Sequence, residues 1–157
     1  MTVLLIALMS AFFSLLFAAG LSIYIMRKEI GTPKMKEISD AIKSGASAYL
    51  KRQYRTLIPI IVVISIILNF VLGYLTALTF LVGAFLSALA GYIGMNISVR
   101  TNARTANAAK KGLASALAVA FRGGIVTGMV VVGLGLFGVT YLYQYTGDIN
   151  AIIGMGF

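Results

Sequence analysis

The sequence predicts an all-α integral membrane protein with four transmembrane helices, and three observations carry that reading. Of the 157 residues, 60% are hydrophobic and only 11% charged, with a mean hydropathy of +0.98, a balance found in membrane proteins. The 44 residues from Thr56 to Val99 hold no Lys, Arg, Asp or Glu. As one helix they would extend about 66 Å, twice what a bilayer core of about 30 Å accepts, so they predict two crossings joined by a turn. Finally, all 13 basic residues fall in two segments, 27–55 and 100–122.

That clustering sets the orientation. The hairpin returns both basic segments to one side of the membrane, and the positive-inside rule makes that side cytoplasmic. The N-terminus is then outside, and the cytoplasmic membrane is the expected location. A net charge of +9 would also suit a nucleic-acid footprint, but cations confined to the ends of apolar runs fit acidic lipid headgroups better. The lipid bilayer is therefore the expected partner, with no nucleic acid.

The expected spans are about 3–26, 57–73, 79–99 and 123–145, in a single transmembrane region covering 1–157. The first is charge-free and is followed by Arg27 and Lys28. It lacks the basic start of a signal peptide. Ser10, Ser14, Ala18 and Ser22 recur every four residues and predict close approach to another helix. Residues 27–32 read as a loop. Thr32-Pro33 then supplies an N-cap hydroxyl and a proline at the first helical position. Ile38, Ala41, Ile42, Ala46, Tyr49, Leu50 and Leu57 follow at helical spacing, so an amphipathic helix runs into the second span past Pro59. The alternative is a separate helix lying on the membrane surface.

The fold-back is expected at Gly73–Thr79, where glycine and threonine loosen the helix and Tyr74 suits an interface. The third span carries a small-residue stripe at Gly83, Ser87, Gly91, Gly94 and Ser98, with Asn96 as a packing residue near its end. The second basic segment is alanine-rich, with a break at Gly112. The fourth span, Gly123–Gly147, has a small face at Gly124, Gly128, Gly135 and Gly138 and tyrosines at 141, 143 and 145 near its outer end. The apolar residues 151–157 read as the start of a further element.

Candidate chemistry is sparse. Cysteine and histidine are absent, which excludes disulfides, thiol nucleophiles and Cys/His metal sites. Gly133-Leu-Gly-Leu-Phe-Gly138 matches a dinucleotide fingerprint in form, but it lies within a span and follows no strand, so helix packing is the better reading. The only carboxylates are Glu29, Glu37, Asp40 and Asp148. Glu37 and Asp40, three apart, share a helix face, and Lys36 and Lys43 stand at i−4 and i+3 of Asp40, which predicts surface ion pairs rather than a metal site. No ionisable group lies at membrane depth, so the chain alone offers no ion path. Arg122, at the mouth of the fourth span, is read as a snorkelling anchor, with anion binding as the alternative. No catalytic, cofactor-binding or metal residue is assigned.

Several strings resemble one family. Glu37-Ile-Ser-Asp-Ala-Ile, Gly45-Ala-Ser-Ala-Tyr-Leu-Lys-Arg-Gln-Tyr-Arg-Thr56, Gly91-Tyr-Ile-Gly-Met-Asn96, Arg100-Thr-Asn-Ala-Arg-Thr-Ala106 and Ala120-Phe-Arg-Gly-Gly124 resemble, in order and spacing, the membrane-bound ion-translocating pyrophosphatases. The resemblance implies a homodimeric pump coupling magnesium-dependent hydrolysis of pyrophosphate to export of protons or sodium ions. The family's aspartate signature, Asp-Val-x-x-Asp-Leu-Val-x-Lys, is not in this sequence. Gly154-Met-Gly-Phe157 is similar to the lead-in to the family's fifth helix. The resemblance thus implies the first four, outer helices of a larger pump, packed on its remaining helices and binding no cofactor themselves. A free-standing four-helix membrane protein with an assembly role is the alternative.

Overall fold

The computed structural model describes residues 2–156. Met1 and Phe157, the outer ends of the first span and of the terminal string, lie outside the described residues, as do the side chains of Asn150 and Ala151. Four long helices and a short one follow in order: α1 (Thr2–Met26), α2 (Pro33–Val71), α3 (Tyr74–Ala109), α4 (Leu113–Thr146) and α5 (Ile149–Gly156). The first four are long and apolar enough to cross a membrane. With 39, 36 and 34 residues, α2, α3 and α4 reach about 50–58 Å, so each extends well beyond a core of about 30 Å. The extra length carries the basic segments.

Helix α2 starts as the sequence predicts. The Thr32 hydroxyl accepts a bond from the Met35 amide at 3.3 Å, and Pro33 occupies the first turn. The helix then continues without interruption through Pro59, so the amphipathic segment and the second span are one element and not a surface helix plus a crossing. The fold-back is tighter than expected. Only Leu72 and Gly73 lie outside helix, and 74–79 already belongs to α3. Gly73 turns the chain with φ +91°, a conformation open to glycine. The threonines remain helical by bonding backward, Thr76 to the Leu72 carbonyl at 3.3 Å and Thr79 to the Thr76 carbonyl at 3.0 Å. Gly112, with φ +111°, makes the other reversal at the expected place.

The helices stand side by side in the order α2, α3, α4, α1, and α5 tucks onto α3 and α4. Among the described residues α2 packs on α3 alone. Neighbours run antiparallel. Tyr24 meets Arg122 while Ser14 bonds the Met129 carbonyl. Gly123 faces Thr101 while Gly138 faces Leu86. The Tyr54 hydroxyl donates to the Ala88 carbonyl at 2.8 Å. The contact between α1 and α4 is centred on Ala18, Ile25, Val126 and Val130, with Ala90 of α3 behind them. Lipid tails are as apolar as these side chains, so close packing of small residues is what favours the arrangement.

The predicted small faces are used selectively. On α1, Ser14 and Ala18 meet α4, but Ser10 is exposed and Ser22 bonds back to the Ala18 carbonyl. On α3 the stripe is shared out: Gly83 lies under Met155 of α5, Gly91 near Tyr54 of α2 and Gly94 against Thr127 of α4, while Ser87 and Ser98 stay exposed. On α4 the predicted small face is mostly unoccupied. Gly138 is buried, but a Cβ on Gly124, Gly128 or Gly135 would meet nothing within 4 Å. The glycines in contact are Gly123, against Thr101, and Gly133, where a Cβ would stand 2.8 Å from Leu15 Cγ. Residues 123 and 124 differ by about 100° around a helix, so a one-residue error of phase exchanges packed and open faces.

Two outcomes are expected. The sequence has no cysteine, so Lys36→Cys, Lys110→Cys and Tyr145→Cys can be introduced singly. An impermeant thiol reagent should reach 36 and 110 from one side of sealed vesicles and 145 from the other. Gly133→Leu should destabilise the purified chain by about 1–3 kcal/mol through overpacking, whereas Gly124→Leu should leave its unfolding midpoint almost unchanged.

Candidate functional site

The end of α1 meets polar side chains from α3 and α4. A helix leaves its last carbonyls without intrahelical partners. Here the chain makes one more turn, with the Arg27 amide on Ile23 and the Lys28 amide on Ile25, and then leaves helical geometry. The carbonyls of Met26 and Lys28 are taken by Arg104 of α3. Its Nη2 donates to Met26 at 3.0 Å, its Nε to Lys28 at 3.0 Å and its Nη1 to Arg100 of its own helix at 2.7 Å. One turn further on, Asn107 donates to the Glu29 carbonyl at 3.4 Å. Gly31, with φ +103°, lies so close to Asn107 that a Cβ would stand 2.7 Å from its Oδ1. The loop from 27 to 31 is thereby held on the end of α3.

Arg104 is only 8% exposed. It lies beyond the apolar run that ends at Val99. Burial, with Arg100 nearby, lowers its pKa, but a guanidinium stays protonated in proteins. The charge is balanced by carbonyl dipoles at the negative end of α1.

A second contact ties α1 to α4. Arg122 donates through Nη1 to the Tyr24 hydroxyl at 3.0 Å. Its guanidinium lies 4.9 Å from the Tyr24 ring centroid, and Lys28 Nζ lies 4.8 Å from the same centroid. Two cations therefore share one aromatic ring. Between these contacts is a cleft of about 510 Å³, lined by Arg27, Lys28, Arg104, Lys111 and Arg122, by Glu29 and by Asn107 and Ser115. Among the described residues the ion pairs are Lys34–Glu37 and Lys43–Asp40, so none of the five cleft cations is paired with a carboxylate. Such a cleft can attract and hold an anion. It has no histidine or cysteine, and a single carboxylate gives no acid–base pair.

The residues singled out in the sequence fall in different places. Arg122 is in the cleft, bound to Tyr24. Glu37 and Asp40 are exposed on α2, each paired with a lysine three residues away, Glu37 with Lys34 at 3.0 Å and Asp40 with Lys43 at 2.8 Å. The Lys43 bond holds the Asp40 carboxyl below its usual range. Of the two lysines expected beside Asp40, Lys43 makes the bond. Asn96 donates to the Tyr92 carbonyl of its own helix at 2.9 Å. Asp148 follows α4 at the opposite end from the cleft. The segment from Gly133 to Gly138 is helical throughout, and its first and last glycines pack against α1, α3 and α5. No group of three acidic, histidine or cysteine residues stands close enough to hold a metal among the described residues.

Arg104 is the residue that sequence reasoning missed as a structural centre. A signal existed. Ala90, Gly94, Ile97, Thr101 and Arg104 follow one helical stripe, and the first, second and fourth of them are buried small residues. Extending that stripe places the arginine on the packed face of α3.

Comparison with known proteins places the chain. The family model described as inorganic H+ pyrophosphatase matches residues 12–157. A Methanosarcina mazei protein named K(+)-insensitive pyrophosphate-energized proton pump is 51% identical over 146 residues, covering 92% of this chain and 22% of its own length. A Moorella thermoacetica protein, named proton pump 2 of the same kind, is 42% identical over 152 residues, with the same two shares covered. A Clostridium tetani protein named for sodium pumping is 39% identical over 144 residues, 91% of this chain and 21% of its own. The chain thus spans about a fifth of the length of these relatives. With a match across more than nine-tenths of its length and helices that can cross a bilayer, this chain belongs to the membrane-bound inorganic H+ pyrophosphatase family.

Proposed function

We propose that the chain is the N-terminal, outer-helix portion of a pump that couples pyrophosphate hydrolysis to export of protons or sodium ions. The observation that carries this reading is the family match from residue 12 to residue 157 combined with coverage of only about a fifth of each relative. Two features of the helix row support it. Helix α2 buries only Ser39 and Leu50, leaving its apolar half for lipid or other helices. Gly124 and Gly128 of α4 are open, as a helix would need for close approach.

In this reading the chain's task is scaffolding. The sequence lacks the family's aspartate signature, which supports placing the metal and the pyrophosphate in parts of the pump outside this stretch. The other helices of the pump are its partners, in the same or a separate chain, within the homodimer that the resemblance implies. The basic end of the row faces the cytoplasm, in the cytoplasmic membrane.

The test is complementation. This chain is co-expressed with the Methanosarcina mazei relative from which the matching segment has been deleted. Membrane vesicles containing both should hydrolyse pyrophosphate with magnesium and take up protons, and the two chains should copurify. Either chain alone should be inactive. Magnesium-dependent hydrolysis by the 157-residue chain alone would refute the scaffold role. Failure to associate, with a stable and folded chain, would favour a free-standing assembly protein.

A further inference from the structure

We infer that the cleft between the ends of α1, α3 and α4 is a binding site for a phosphate-bearing anion, the headgroup of an acidic phospholipid. The inference needs only that the helices cross a membrane and is independent of pump activity. Nothing in the scaffold role calls for five cations around one hollow. Arg27, Lys28, Arg104, Lys111 and Arg122 surround about 510 Å³, and Glu29 is the single opposing carboxylate in the lining. None of the five is neutralised by a carboxylate among the described residues.

The cations come from separate stretches of chain, Arg27 and Lys28 from the loop after α1, Arg104 from the last turns of α3, Lys111 from the turn between α3 and α4, and Arg122 from within α4. Their convergence is therefore a product of the fold and not of one charged run. Like charges lining one hollow repel one another, and an anion in the hollow relieves that repulsion. Arginine and lysine donors suit phosphate oxygens in particular.

The depth of the cleft favours a lipid as the source. Arg27 immediately follows the apolar run that ends at Met26, and Arg122 immediately precedes the one that begins at Gly123. Both therefore stand where hydrocarbon gives way to headgroups. Tyr24, held between Lys28 and Arg122, is an aromatic side chain of the kind that settles at this level. Ile23, next to Tyr24 in the chain, and Phe121 and Ile125, within three residues of Arg122, are exposed and can lie along the acyl chains. A soluble phosphate or pyrophosphate shares the same headgroup chemistry, so the test separates the two sources.

The full chain is reconstituted in nanodiscs of phosphatidylcholine doped with phosphatidylglycerol, and retained lipid is counted by native mass spectrometry. The wild type should retain phosphatidylglycerol over phosphatidylcholine by at least about tenfold. Lys28→Gln with Lys111→Gln should abolish that preference, at about fivefold per charge removed. Lys36→Gln with Lys51→Gln removes the same charge from α2 and should leave the preference intact. Lys28→Arg with Lys111→Arg should restore it, which separates loss of charge from loss of fold. In a second arm, inorganic phosphate is titrated by phosphorus NMR onto the chain in pure phosphatidylcholine. Phosphate binding lost only in the cleft pair, without lipid selection, keeps the site and makes its ligand soluble. Equal loss of lipid selection in both glutamine pairs, or no selective binding of either ligand, would overturn the inference.

Discussion

The row of helices depends on how the open end of α1 is closed. A helix that stops leaves its last carbonyls without intrahelical partners, and each such group buried unpaired costs about 1–3 kcal/mol. Arg104 reaches across from α3 and takes the carbonyls of Met26 and Lys28 while also bonding within its own helix. A charged donor on a helix C-terminus is favourable twice over, through the hydrogen bonds and through the dipole. The consequence is geometric. The two basic segments, distant in sequence, are fixed to each other at one end of the molecule. The side on which they sit becomes a property of the fold as well as of the topogenic charge.

Packing along the membrane depth follows from that anchor. Once the end of α1 is set against α3, α4 must lie between them, because α1 and α3 touch each other only briefly. Its glycines at 123 and 133 then admit Thr101 from one neighbour and Leu15 from the other. At the far end of the row, α5 folds back so that Gly154 lies against the Thr76 carbonyl and Thr79. These close approaches all rely on small residues, as expected where the hydrophobic effect does not distinguish helix from lipid. Helix α2 is the least committed member, held mainly through the half that carries the basic residues, by Leu50 and Tyr54.

Much of this was legible in the chain, and the division is physical. Hydropathy measures transfer into lipid, so the four crossings could be read directly from the charge-free runs. The Thr32-Pro33 start could also be read, because capping is a local property of two residues. Rotational phase could not. Helix α4 is small and apolar on every side, so Gly123 and Gly124 are equivalent in composition, and only a neighbour distinguishes them. The width of the 72–73 turn escaped for a similar reason, since Thr76 and Thr79 can satisfy their hydroxyls within a helix as well as in a loop. The basic cleft escaped because its cations come from different stretches. Arg122 stands out in the sequence as a polar residue at the mouth of a span, but its partner, Tyr24, lies 98 positions away.

The central claim is that the Arg104 guanidinium holds the end of α1 and the loop beyond it. It is tested by amide hydrogen exchange of the reconstituted chain, comparing Arg104→Met with Arg100→Met, which removes an exposed arginine one turn away. The expected result is faster exchange by about tenfold or more at residues 27–31 in the first variant alone, corresponding to about 1.4 kcal/mol of local opening. Exchange unchanged by Arg104→Met, or raised equally by both substitutions, would contradict it.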